Sequence, residues 1–154
     1  MKFYLLPHTE FRRLHGRAYR AQQRDHYEVG GFLFVHAARP RDLCLHFMIN
    51  RAQVPYQFRV HDGEATVAAR ALRRQGKRIL GQFHSHPIGY ATLLGHDRRR
   101  ATNRRFELIY DVCGRQARVW RIQVRGGRRR VVEVPLVVEK SNKRTRRAAN
   151  LRLT

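Results

Sequence analysis

Hydrophobic positions along the chain follow two periods. Apolar residues at Phe11, Leu14, Ala18 and Ala21 recur at helical spacing behind Thr9, which is placed to cap the helix, and arginines occupy the outer face. A second helical stripe, Ala65, Ala68, Ala69 and Leu72, follows a capping Asp62 and stops at Gly76. The remaining apolar runs predict strands. Residues 2–6 form a short lead-in strand. Residues 32–35, introduced by Gly30 and Gly31, form a buried one. Residues 39–42 read as a turn, 43–49 as the next strand, 50–57 as a loop containing Pro55, and 58–60 as extended chain. Residues 79–83 form a strand that runs straight into His84-Ser85-His86-Pro87, where Pro87 ends it. A glycine-containing loop covers 88–96, and a short basic helix begins at Asp97. Strands over 106–112, 116–123 and 131–138 complete the pattern, with Gly126-Gly127 as a hairpin tip. The expected fold is α+β: a mixed, mostly antiparallel sheet flanked by two main helices. One domain spans residues 1–138, and 139–154 form a basic C-terminal tail.

Charge changes the picture more than size does. The 154 residues are enough for one domain with a core. Lys and Arg number 33 against 11 Asp and Glu, a formal charge of +22. Such a field attracts polyanions, so an acidic protein or nucleic acid is a candidate partner. Basic residues cluster at Arg98, Arg99, Arg100, Arg104 and Arg105, at Arg128, Arg129 and Arg130, and in the tail at Lys143, Arg144, Arg146 and Arg147. No nucleic-acid-reading motif accompanies them, and Trp120 reads as a core residue rather than a stacking platform. Cys44 and Cys113 stand far apart without a CxxC, which argues against a disulfide framework and against a cysteine-rich zinc knuckle. The short apolar start broken by Pro7 is no signal peptide, and no run reaches the ~20 apolar residues of a membrane span. A soluble, cytoplasmic chain with no membrane partner is expected.

The chemistry gathers around His84 and His86. Side chains two apart on a strand share a face, so two imidazoles can chelate one metal ion. Asp97, beyond the loop, can supply a third, oxygen ligand. Two His and one carboxylate leave a fourth tetrahedral position for water, the arrangement of a catalytic zinc site. Glu28, at the mouth of another strand, is the candidate to take that water's proton.

Together these residues resemble the JAMM/MPN+ metalloprotease family, also called the JAB/MPN domain. Its pattern is a Glu before a Gly-containing strand, then HxHP, then a Ser separated from the second His by seven residues, and an Asp three beyond that Ser. Here Glu28 opens Glu-Val-Gly-Gly-Phe-Leu-Phe, and His84-Ser85-His86-Pro87 leads to Asp97 at the family's spacing. The flanks agree from Asn50 through Pro55 to Phe58, in the helix after Asp62, and from Gly76 to Ile79-Leu80-Gly81; the likeness covers roughly residues 5 to 125. It implies a cytidine-deaminase-like JAB/MPN fold and a Zn2+ ion held by His84, His86 and Asp97, with Glu28 as general base. The implied activity is peptide or isopeptide hydrolysis after the C-terminal Gly of a ubiquitin-like or sulfur-carrier protein. Two His and one Asp accept other divalent ions as well.

One position departs from the family. Leu94 stands where the family has the Ser that stabilises the oxyanion. Thr92, Tyr90 and His96 lie in the same loop as substitute donors, and His96 is also a candidate for the metal site. The alternative reading is therefore a catalytically weak metal-binding module of the same fold that binds an acidic protein or nucleic acid.

Overall fold

The apolar run after Glu28 is unbroken because its strand is covered on both faces. In the computed structural model, which describes residues 3–52, 54–92 and 105–140, strand β2 (Gly30–His36) sends Leu33 and Val35 into one core and Phe32 and Phe34 into another. Helix α1 (His8–Asp25) covers the first face with Leu14 and Ala18. Helix α2 (Asp62–Arg74) covers the second with Leu72, Ala65, Ala68 and Ala69. Both apolar stripes read from the sequence are thus the buried stripes.

Around β2 lie β1 (Tyr4–Leu6), β3 (Arg39–Met48), β4 (Lys77–His86), β5 (Phe106–Asp111), β6 (Gln116–Arg125), β7 (Arg128–Val134) and β8 (Leu136–Val138). They form one eight-stranded sheet in the order β7-β6-β5-β4-β2-β3-β1-β8. Four neighbouring pairs are antiparallel. The pairs β4–β5, β1–β3 and β1–β8 are parallel. The sheet curls, so that Tyr4 of β1 meets Phe106 of β5 edge-on, with ring centroids 5.4 Å apart. The protein is therefore α+β with a mixed, mostly antiparallel curled sheet and two helices.

Local details differ from the sequence reading. Helix α1 starts at His8 behind Pro7, with no side-chain cap, so Thr9 lies inside the first turn. The Pro7 ring presets φ at the N-cap, and its carbonyl accepts the first helical bond, from the Phe11 amide at 2.9 Å. The cap of α2 is His61, whose Nδ1 accepts from the Gly63 amide at 3.2 Å, and Asp62 is the first helical residue. Residues 39–42 are not a turn but the start of β3, because β1 pairs there, Leu5 against Asp42. The expected strand over 131–138 is two strands broken at Pro135, whose carbonyl accepts from the Tyr4 amide at 3.0 Å. Strand β6 runs on to Arg125. Trp120 is half-buried against Ile109 and Ile122. Cys44 and Cys113 are free thiols. Among the described residues no helix is long and apolar enough to cross a membrane.

Gly81 marks the closest strand approach in the centre of the sheet. A Cβ built there would sit 1.8 Å from the Phe106 carbonyl oxygen, so β4 and β5 pair at this point only without a side chain. Gly81→Ala is expected to destabilise the fold by about 3 kcal/mol, lowering Tm by roughly 6–12 °C. A thermal melt reads this directly, and an unchanged Tm rules out a rigid β4–β5 contact.

Candidate metal centre

Strand β4 delivers both histidines to one place. Leu80, Phe83, His84, Ser85 and His86 are all buried, so the strand's end is fixed by packing before any ligand is considered. His84 Nε2 and His86 Nε2 lie 3.1 Å apart. His86 Nδ1 donates to the Tyr90 carbonyl at 2.9 Å, which fixes the neutral-ring tautomer whose lone pair lies on Nε2. Two nitrogens on one tetrahedral zinc ion sit about 3.3 Å apart, given Zn–N bonds of ~2.0–2.1 Å. The donor pair therefore fits such an ion.

Glu28 reaches the same end of the sheet through β2. Gly30 pairs with His84. One step further, Ser85 N donates to the Val29 carbonyl at 2.8 Å, and Val29 N donates to Ser85 Oγ at 2.9 Å. Continuing that register sets Glu28 opposite His86, on the face that carries both imidazoles. Glu28 is 4% exposed. Glycine at position 30 is required by crowding here: a Cβ would lie 2.6 Å from the Phe83 carbonyl oxygen and 2.7 Å from the Phe58 ring.

Several positioning residues escaped the sequence reading. Asn50 Nδ2 donates to the carbonyls of Glu28 (2.9 Å) and Gln57 (2.7 Å), while its Oδ1 accepts from the amides of Ala52 and Arg59. One amide side chain thus closes the 50–59 loop and ties it to Glu28. The only signal was an Asn opening a Pro-containing loop, a position where its side chain satisfies backbone groups. Gln22 of α1 donates to the Pro87 carbonyl at 2.6 Å, and Cys113 Sγ reaches the same oxygen at 3.3 Å. His15 Nδ1 lies 2.6 Å from Tyr110 Oη. Burial, chiefly, pushes the Tyr110 phenol up to about 12, while burial and then Arg115 hold His15 below its usual range. Tyr110 pairs with Ser85 in register, so this contact props α1 against the strands that carry the histidines.

The loop after Pro87 is partly described. Tyr90 is 79% exposed, so its phenol faces solvent while its carbonyl serves His86. Thr92 N donates to the Tyr90 carbonyl at 2.7 Å, and Trp120 Nε1 pins the Ala91 carbonyl at 3.0 Å. Leu94, His96, Asp97, Arg98, Arg99, Arg100 and Arg104 lie outside the described residues. Arg105 is exposed at the start of β5, the opposite end of that strand from His86. Among the described residues no group of three or more His, Cys, Asp or Glu is placed to hold a metal ion.

The fold has a close match among solved structures. The solution structure of protein DSY2949 from Desulfitobacterium hafniense is similar with a TM-score of 0.71 at 21% identity, covering 92% of this chain and 97% of that one. At that identity the likeness is one of fold. No protein-family model matches the chain, and no curated protein matches it.

Proposed function

We propose that this chain is a zinc-dependent metallopeptidase of the JAMM/MPN+ type, working in the cytoplasm on a peptide or isopeptide bond after the C-terminal Gly of a ubiquitin-like or sulfur-carrier protein. The observation that carries the reading is the convergence of His84 Nε2 and His86 Nε2 at 3.1 Å, with His86 Nδ1 committed to a backbone carbonyl. The curled α+β sheet is compatible with a cytidine-deaminase-like JAB/MPN fold. His84, His86 and Asp97 would hold the zinc ion, which would supply Lewis-acid chemistry there and make water a stronger acid. The carboxylate of Glu28 takes the proton from the attacking water and returns it to the leaving amine nitrogen. The 50–59 loop, held by Asn50, keeps Glu28 facing His86. Incubating the zinc-loaded protein with a ubiquitin-like protein fused through its C-terminal Gly tests this. Cleavage at that Gly, lost with a chelator and restored by zinc, is the expected result. No cleavage of any such fusion removes the proposed substrate class.

Leu94 favours a second reading, a catalytically weak metal-binding module that recognises an acidic protein or nucleic acid. Loss of one oxyanion donor slows acyl transfer by about 100- to 1000-fold. Leu94→Ser is therefore expected to raise hydrolysis by about that factor if the site lacks a donor. Comparable rates for both forms mean that Thr92 or His96 already fills the role; Tyr90, with its exposed phenol, is the weaker substitute.

A further inference from the structure

A second feature, independent of the metal centre, lies at the other end of the sheet. Strand β5 stops pairing with β6 at Phe106–Arg121. Beyond that point β6 and β7 continue together through Gln123–Arg130, Val124–Arg129 and Arg125–Arg128, closed by the Gly126-Gly127 turn. Among the described residues these last pairs belong to an overhanging two-stranded antiparallel ribbon. Its two faces are unlike. Ile122 and Val131 face inward with Ala91 and Ile109. By alternation, Arg121, Gln123, Arg125, Arg128 and Arg130 share the other face. All four arginines are exposed.

This arrangement costs stability, offset in part at Arg121, whose guanidinium lies 5.7 Å from the centroid of the Phe106 ring. Arg125 and Arg128 are direct cross-strand partners, a like-charge placement that destabilises a sheet. The nearby Glu133 is engaged by Arg118 at 3.8 Å. No carboxylate pairs with Arg121, Arg125, Arg128 or Arg130 among the described residues. We propose that this overhanging β6–β7 ribbon is a docking surface for duplex DNA, held through its phosphates by Arg121, Arg125, Arg128 and Arg130.

Three observations select that partner. The cations are arginines, whose planar fork binds phosphate oxygens bidentately. Alternate residues on a strand stand about 7 Å apart, close to the phosphate repeat along one DNA strand. A two-stranded ribbon fits the major groove of B-DNA, about 12 Å wide, whereas the A-form RNA major groove is too narrow to admit it. Among the described residues the arginine face also carries no exposed aromatic platform for unstacked bases, which disfavours single strands. With phosphate contacts alone, binding is independent of sequence.

Fluorescence anisotropy of a labelled 20-base-pair duplex, read across a salt series, tests the proposal. The triple variant R125Q/R128Q/R130Q is compared with R70Q/R73Q/R74Q, which removes the same charge from the exposed outer face of α2. The ribbon variant is expected to weaken binding about 10-fold or more and to reduce the salt slope by about 2 to 3, while the α2 variant changes affinity less than about 2-fold. Equal losses in both variants overturn the proposal in favour of net charge alone. Equal or tighter binding of poly-glutamate, single-stranded DNA or duplex RNA overturns the choice of partner. Aggregation of the ribbon variant with unchanged DNA affinity assigns the arginines to edge protection instead. Should the triple variant lose its circular dichroism signature, R128E alone carries the same comparison.

Discussion

Glu28→Gln is expected to retain zinc and to lose hydrolysis by about 100- to 10,000-fold, the range a positioned acid–base group supplies. Glutamine has the same shape and keeps the position beside His86, so packing is preserved. It cannot accept the water's proton. The position is 4% exposed, and a neutral amide there avoids the desolvation that a buried carboxylate bears, so Tm should hold or rise. Zinc content, a melting curve and turnover of the Gly-linked fusion, measured on one preparation, separate these effects. Normal turnover by the variant removes Glu28 from the mechanism. Lost turnover together with lost zinc makes it a ligand or a structural group rather than a base.

His86→Ala and Asp97→Ala are expected to reduce bound zinc from about one ion per chain to near zero, with turnover falling to background. The two variants probe different parts of the site. His86 is held by packing and by its Nδ1 bond to the Tyr90 carbonyl, so its loss also frees the loop that follows Pro87. His86→Ala should therefore lower Tm even in metal-free protein. Asp97→Ala tests the third ligand read from the motif spacing. Elemental analysis of purified and zinc-reconstituted protein gives the outcome. Full zinc occupancy in Asp97→Ala excludes that residue from the ligand set, and none in the wild type removes the metal centre altogether.

How far the sequence revealed this site depended on the kind of interaction. His84 and His86 were legible because the two-residue period of a strand fixes which side chains share a face. The two helices were legible because each buries one apolar stripe, Leu14 with Ala18 and Leu72 with its alanines. The break at Pro135 and the early start of β3 were not, since both follow from pairing with β1. A three-residue strand carries too few residues for a period, and its partners decide whether it exists. Asn50 and Gln22 were missed for a related reason: each acts by hydrogen-bonding backbone groups that no local pattern announces. The β6–β7 overhang was half legible. The arginines and the glycine tip were plain, but their gathering on one face waited on the register.

The parallel pairing of β1 with β8 has a consequence for how the protein is made. Tyr4 aligns with Leu136, and the amide of His8 donates to Glu139 Oε2 across 131 positions of sequence. During synthesis β1 emerges long before β8 and at first has no β8 to pair with. Helices α1 and α2 and the β2–β3 hairpin can form from near neighbours, while β1 keeps one edge exposed until β8 has emerged. Closing so long a loop is slow, and the unpaired edge is open to intermolecular pairing meanwhile. Chains halted before β8 should therefore be captured by chaperones or aggregate, and the emergence of β8 should mark the moment the nascent chain becomes protease-resistant.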